Sequence, residues 1–471
     1  MGEAGWSGPA WPSRRTWLGF GALAAAAVLF WQVVGAGLTF FADDWMLLAD
    51  RSLAIDSLFR SHNEHLSAIP IAIFVILRDS VGLGPHWLWL LVLHLAHVAA
   101  AAGVLVLAGR RVRPPVALAA AAALLFLGTA GEELLWMVMV SVVISTAAGV
   151  WALVILDARR PRGVWPGVLA AALVAVGLLA SSFGIAMAVS AGISALSRRN
   201  RAAVLALVPV GALYVGWYIA RAPGSGPPLC APVPAVEWAV TSVPLAFSTL
   251  LYAVGAPLGV GLFTQPLIVV AAAVAALWLL TLAYAVREGA PVWLPVATLA
   301  GIATVAVLIA GSRACLGPQV TGSSRYIYTT GCLALVGMVT TPATGPAGRL
   351  VRGRPTPVVA VATALALALG GISLVVRYPA LELFSQASRA AVNVALSPDG
   401  LACHTQIRHV DDFTANLEMM PTTARLRELV PSPGLLDPPG WSWVPPVDAD
   451  LQAQVRHLMC EVPPSDNPAG G

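Results

Sequence analysis

The chain has 471 residues, of which 58% are hydrophobic and only 11% are charged. Its mean hydropathy is +0.80, and long apolar stretches alternate with short arginine-rich ones. This is typical of a polytopic membrane protein and excludes an ordinary soluble domain. The net charge of +4 does not indicate nucleic-acid binding, because the arginines are dispersed over several interhelical clusters and do not form one basic face.

The first apolar stretch, residues 17–41, is long enough to cross a hydrocarbon core about 30 Å thick. Arg14 and Arg15 precede it, and arginine-rich segments tend to remain in the cytoplasm. No convincing signal-peptide cleavage site follows. We therefore predict an uncleaved first span in the cytoplasmic membrane, with the N-terminus inside and the adjacent pair Asp43 and Asp44 on the outer face.

Residues 42–85 are predicted to form the first outer loop. Between residues 43 and 60 the apolar side chains recur at helical spacing among polar ones, which predicts an amphipathic helix lying on the outer surface. The apolar stretch 66–77 is too short to cross the membrane, so we expect a second, half-buried helix in the same loop.

The fold class that follows is all-α, with about eleven transmembrane helices. Further spans are predicted at residues 87–107, 115–127, 136–156, 165–180, 183–196, 202–220, 266–286, 292–310, 326–339 and 357–376. We interpret the Pro- and Gly-rich residues 222–234 as an outer loop and residues 240–260 as an outer interfacial or re-entrant helix. Residues 1–376 then form a membrane domain, and residues 377–471 a small extracytoplasmic tail or module.

The five cysteines fit this topology. Cys230 and Cys315 fall in predicted outer loops, Cys403 and Cys460 in the tail, and Cys332 inside a span. An oxidising outer face would permit two disulfides, whereas free thiols are the alternative.

The same topology gathers polar residues from distant parts of the sequence on the outer face. They are Asp43, Asp44, His62, Glu64, His65, Glu132, Glu133, Arg313, Arg325 and Tyr326. A carboxylate can take the proton of an acceptor hydroxyl, and an arginine can hold a phosphate group. The set therefore suits transfer of a group from a lipid-phosphate donor at the membrane boundary.

Some of these residues also have simpler interpretations. Glu132 and Glu133 are interpreted as ordinary loop charges. Asp43 or Asp44 could cap the surface helix, and Arg325 with Tyr326 could anchor a span at the interface. His62 and His65 alone do not define a metal site, so none is predicted, although the many carboxylates are compatible with a divalent cation.

The sequence Phe41-Ala42-Asp43-Asp44-Trp45 after the first span, His62-Asn63-Glu64-His65 in the loop and the late Ser324-Arg325-Tyr326 resemble the GT-C superfamily of integral membrane glycosyltransferases. The resemblance implies acidic residues in the first outer loop and a polyprenyl-phosphate-linked sugar donor. Asp43 or Asp44 would be the catalytic base, and Arg325 would contact the phosphate. His62, Glu64, His65 and Tyr326 would contact substrate.

We therefore expect an inverting glycosyltransferase that uses a glycan or glycolipid acceptor in the cell envelope. Two alternatives remain open. A transporter or flippase for a lipid-linked glycan would need ionisable residues at membrane depth, for which His94 and His97 are the main candidates. A non-catalytic membrane scaffold would tolerate replacement of Asp43 and Asp44.

Overall fold

The structure is a computed structural model that describes residues 11–62, 65–158, 164–221, 235–260, 267–342, 344, 356–405, 417, 419–430 and 447–461. These residues form helices, and the one strand-like feature among them is an isolated pairing of His62 with His65. The prediction of an all-α protein is confirmed.

The first part of the chain contains one long helix and three short ones. They are α1 (Arg14–Gly35), α2 (Asp43–Asp50), α3 (Ile55–Phe59) and α4 (Ala68–Val81). Seven helices follow, with single 3-10 turns at 128–130 and 137–139. They are α5 (His86–Gly109), α6 (Pro114–Leu125), α7 (Gly131–Leu135), α8 (Val140–Leu156), α9 (Trp165–Ala180), α10 (Phe183–Ser197) and α11 (Arg201–Arg221).

The remaining described helices include the longest one. They are α12 (Ala235–Gly255), α13 (Ile268–Arg287), α14 (Trp293–Arg313), α15 (Ser324–Thr340), α16 (Thr356–Leu396), α17 (Thr423–Leu429) and α18 (Ala449–Cys460). Eight helical segments of the described chain are long and apolar enough to cross a membrane. This confirms the multi-pass character, and the total of eleven spans stays a prediction.

One end of the helical bundle collects arginines around a single carboxylate. Asp157, directly after α8, accepts hydrogen bonds from Arg110 at 2.9 Å and Arg111 at 2.8 Å, and Arg198 lies 3.8 Å away. Trp293, at the start of α14, packs beneath the guanidinium groups of Arg111 and Arg198. The ends of α5, α8 and α10 therefore meet the start of α14 here, and we call this the arginine end.

The segment 42–85, predicted as the first outer loop, lies at the opposite end, which we call the loop end. Phe41 stacks on Trp136, which precedes α8, at a ring separation of 5.2 Å, whereas Asp157 follows α8. The C-terminal segment is at the loop end too, because Arg425 donates to the carbonyl of Ala49 at 3.0 Å. The loop and the tail therefore share one side of the bundle, as the predicted topology requires.

The predicted surface helix over residues 43–60 is wrong in detail. The structure divides it into α2 and α3, and α2 is buried instead of lying on the surface: Trp45 and Leu48 are 0% exposed. The break arises because Arg51 turns back and donates to the carbonyls of Ser57, Arg60 and Ser61. Polar side chains that look like a wet helix face in the sequence instead pair with the backbone of the loop.

The predicted domain boundary at residues 376/377 falls inside α16, which continues for 20 residues beyond Val376 to Leu396. The tail packs on this extension, where Gln452 of α18 donates to the carbonyl of Ala390 at 3.1 Å. The rise in polarity at Arg377 marks the end of the apolar stretch and not the end of the helix.

Four of the five cysteines lie in the described residues, and three of these form disulfides, as an oxidising face would permit. A disulfide joins Cys403 to Cys460, Cys315 is also disulfide-bonded, and Cys332 is free and buried in α15. Cys230, like the predicted loop 222–234, lies outside the described residues.

Residues 240–260 form the greater part of α12, followed by a 3-10 turn over Ala256–Leu258. Ser248 donates to the carbonyl of Pro318 at 3.0 Å, and Gly322 lies against the ring of Tyr252. Both contacts are with the connection between α14 and α15 at the loop end. The interfacial or re-entrant placement of α12 stays a prediction.

Gly128 and Gly370 provide a test of the packing between α16 and the turn that follows α6. A Cβ atom on Gly128 would lie 2.1 Å from the carbonyl oxygen of Gly370, whereas one on Gly371 would meet nothing within 4 Å. We expect Gly128→Ala to reduce the free energy of unfolding by about 3 kcal/mol, the upper part of the range for overpacking. Gly371→Ala is the matched control and should be neutral or slightly stabilising.

Thermal unfolding of the purified protein in detergent measures both variants. Equal melting temperatures for Gly128→Ala and Gly371→Ala would contradict the close contact between the two backbones.

Candidate functional site

The site is built around a break in a helix. This helix begins at Pro114. In an uninterrupted helix the N–H of Val138 would bond to the carbonyl of Leu134, four residues earlier. Here the Val138 N–H donates to Asp44 Oδ1 at 2.8 Å, and the Leu134 carbonyl accepts from His94 Nε2 at 2.8 Å. Asp44 and His94 thus each replace one half of a helical hydrogen bond.

The unpaired backbone carbonyl at the beginning of the break also bonds to side chains. The carbonyl of Leu125 accepts from the Trp31 indole at 2.9 Å and from His97 Nε2 at 3.2 Å. Because a carbonyl only accepts, Nε2 of His97 carries the proton and Nδ1 accepts from the Tyr328 hydroxyl, 2.8 Å away. His94 and His97, proposed for a transporter, therefore pair with backbone groups that would otherwise be unsatisfied in the membrane.

Asp44 is a structural anchor at the loop end. Its side chain is 0% exposed, and its second oxygen accepts from the N–H of Phe41 at 3.2 Å. Burial raises the pKa of this carboxyl well above its usual value, although the bonds from Phe41 and Val138 act in the opposite direction. Ala42, which follows Phe41 directly, has a φ of 47°, a strained conformation for a residue with a Cβ.

Asp43, its neighbour, is placed differently. It is partly exposed, and no described residue donates a hydrogen bond to it. Its charge acts on the His62 imidazole and on the Arg325 guanidinium. Of the two predicted catalytic aspartates, Asp43 is the one that is partly exposed and has no hydrogen-bond donor among the described residues.

Arg325 is subject to the charges of three carboxyl groups. The charges of Asp43, Glu132 and Glu133 all act on its guanidinium. Among the residues that the structure describes, none lies within ion-pair distance of Arg325 and none accepts a hydrogen bond from it. A half-buried guanidinium without such contacts is available for an anion.

His62 and His65 face each other through two backbone hydrogen bonds of 2.9 Å. Burial lowers the pKa of both imidazoles; for His65, with help from the charges of Arg313, His62 and Arg325, the pKa falls to about 4. Both rings are therefore neutral at pH 7, and His62 Nε2 is buried without a partner in the described structure. Glu64, predicted to contact substrate, lies outside the described residues.

Glu132 and Glu133 are not the ordinary loop charges that the sequence suggested. They lie in α7 and are 5% and 0% exposed. Glu132 accepts a hydrogen bond of 2.7 Å from Arg377 of α16, whereas neither oxygen of Glu133 has a partner in the described part of the chain. The two glutamates lie within the helix break, next to the turn where Gly128 packs closely against Gly370 of α16.

Tyr326 is 5% exposed and serves mainly as packing. Its ring contacts Phe183 at 5.9 Å, and the Arg313 guanidinium lies over it at 5.9 Å. Its predicted contact with substrate stays a prediction.

The residues that remain form one group of unpaired polar side chains, which we call the loop-end cluster: Asp43, His62, His65, Glu133 and Arg325. The structure brings them together from four parts of the sequence, at the end opposite the arginine end. Buried polar groups normally have hydrogen-bond partners. In the described residues no three His, Cys, Asp or Glu side chains are arranged to hold a metal ion.

Sequence reasoning missed Arg377 and undervalued Glu133. The available signal was the cost of two adjacent carboxylates between two apolar stretches, which favours a paired or functional role over a chance loop.

No family model, curated protein or solved structure matches the chain.

The different environments of the two aspartates lead to opposite expectations for stability. Asp44→Ala would leave the N–H groups of Phe41 and Val138 buried and unpaired, so we expect it to reduce the free energy of unfolding by about 3 kcal/mol. Asp43→Ala is the matched control and should change it by less than about 0.5 kcal/mol. Melting temperatures in detergent separate the cases; an equal loss in both variants would refute the anchoring role of Asp44.

Proposed function

We propose that the chain is an integral membrane glycosyltransferase that moves a sugar from a polyprenyl-phosphate donor to an envelope glycan or glycolipid. The observation that supports this most directly is the loop-end cluster, where the Asp43 carboxylate and the Arg325 guanidinium, neither of them paired in the described structure, lie at the same end of the helical bundle. A transfer from a lipid phosphate needs both groups in one place.

The mechanism we propose is a single displacement at the anomeric carbon. Asp43 accepts the proton of an acceptor hydroxyl as its oxygen forms a bond to that carbon. The bond from the carbon to the phosphate oxygen breaks, and the lipid phosphate leaves with the electron pair. Arg325 offsets the negative charge that develops on the phosphate.

Asp43 is preferred over Asp44 as the base for a geometric reason. Both oxygens of Asp44 already accept backbone hydrogen bonds at the buried break, whereas Asp43 is partly exposed. The neutral imidazoles of His62 and His65 can orient hydroxyl groups without adding a positive charge that would compete with Arg325.

The bundle orientation is consistent with a site on the outer face. The loop-end cluster lies at the end opposite Asp157 and its arginines, and arginine-rich ends usually face the cytoplasm. A lipid-linked donor in the outer leaflet would then present its phosphate at the depth of Arg325.

Complementation of a strain deleted for the gene tests the proposal. We expect Asp43→Asn to reduce the affected envelope glycan by about 100-fold or more, the usual contribution of a general base. Asp50→Asn, at the exposed end of the same helix, is the matched control and should restore normal glycans. Glycan mass spectrometry and immunoblots of membrane fractions provide the readouts; normal glycans with Asp43→Asn would contradict the proposed chemistry.

A further inference from the structure

Glu133 has no role in the mechanism above, yet it is the most unusual charged group of the described chain. Its carboxyl group is 0% exposed, and neither oxygen has a hydrogen-bond partner among the described residues. The hydroxyl of Ser324 is also buried without a described partner, and α15, which begins at Ser324, packs against α7, which carries Glu133. Leaving such groups unpaired reduces the stability of the fold.

The chemistry of these two groups restricts what could satisfy them. The carboxyl group of Glu133 accepts hydrogen bonds and also donates one when it is protonated, and a serine hydroxyl donates one and accepts others. A phosphate would be repelled by an ionised Glu133, whereas a hydroxyl group of a sugar can bond to Glu133 in either protonation state and accept from Ser324. The ligand group that fits is therefore a hydroxyl.

The position of Arg325 indicates which hydroxyl this is. Ser324 and Arg325 are consecutive in the first turn of α15, and the charge of Glu133 acts on the Arg325 guanidinium. In a sugar phosphate the ring hydroxyls lie within a few bonds of the phosphate. A phosphate on Arg325 thus places the sugar ring beside Glu133 and Ser324.

We infer that Glu133 and Ser324 form the subsite that binds a ring hydroxyl of the donor sugar. This inference rests on the proposed function, because Arg325 must hold the lipid phosphate. Access to Glu133 requires a local movement, because its side chain is 0% exposed; the Arg325 side chain makes no hydrogen bond in the described structure that would hold it in place. Glu133 is thereby a residue for sugar recognition, separate from the base Asp43.

Binding to two kinds of lipid probe tests the subsite. The probes are farnesyl phosphate and a panel of farnesyl phosphates that carry single hexoses or pentoses, added to the full-length protein in lipid nanodiscs. We expect the wild-type chain to bind at least one sugar-bearing probe on the order of 10- to 100-fold more tightly than farnesyl phosphate, as one charged hydrogen bond allows. Glu133→Ala should lose this preference and retain binding of farnesyl phosphate.

Two further variants make the result specific. Arg325→Gln should lose binding of both kinds of probe, and Glu288→Gln, at an exposed site after α13, should behave as the wild type. Because Glu133 is unpaired, Glu133→Gln should melt at or above the wild-type temperature. A merely structural glutamate would lower it.

The failures can be told apart. If the wild type binds none of the probes, the proposed function is wrong, and the subsite with it. If the wild type binds farnesyl phosphate and all sugar-bearing probes equally, or if Glu133→Ala keeps the sugar preference, the subsite alone is wrong.

Discussion

The fold of the loop end depends on one helical hydrogen bond that is replaced by two hydrogen bonds to side chains. A backbone N–H and a backbone carbonyl that would pair within a helix are separated at Val138 and Leu134, and each is satisfied by a side chain, Asp44 or His94. Without water in the membrane core, a break in a spanning helix is tolerated only with such replacements. The break in turn brings Glu132 and Glu133 into the interior.

The same exchange links the site to the rest of the molecule. Because Asp44 is the partner of Val138, the N-terminus of α2 is fixed against the start of α8, and this holds Asp43 at the rim of the bundle. Glu132, on the other side of the break, pairs with Arg377 of the long α16. The loop that contains α2, the broken helix and α16 are thus connected through two buried carboxylates, those of Asp44 and Glu132.

The sequence predicted the parts of this structure that depend on apolar length alone. The stretches 165–180 and 183–196 correspond closely to α9 and α10, because a hydrophobic stretch flanked by polar residues has few alternatives in a membrane protein. The gathering of Asp43, His62, His65 and Arg325 at one end followed from the topology. These four residues come from three segments, and Glu133, which the sequence suggested to be an ordinary loop charge, joins them from a fourth.

What the sequence could not predict depends on partners distant in the chain. Arg51 was expected on a wet helix face, but it pairs with three carbonyls of its own loop, which divides one predicted helix into two. Glu133 is buried near a helix break at which the N–H of Val138 pairs with Asp44, 94 residues earlier in the sequence. No local sequence pattern indicates such a distant contact. The separate roles of Asp43 and Asp44 are invisible in the sequence, since the two residues are identical and adjacent.

The most direct test of the central claim, that the loop-end cluster is unpaired because it binds a lipid phosphate, is a pair of electron cryo-microscopy maps. The protein would be imaged in lipid nanodiscs with and without farnesyl phosphate. With farnesyl phosphate, we expect a phosphate within about 3 Å of the Arg325 guanidinium. Without it, we expect no ion pair between Arg325 and Glu133. An Arg325–Glu133 ion pair in both maps, with no phosphate density at the loop end, would contradict it.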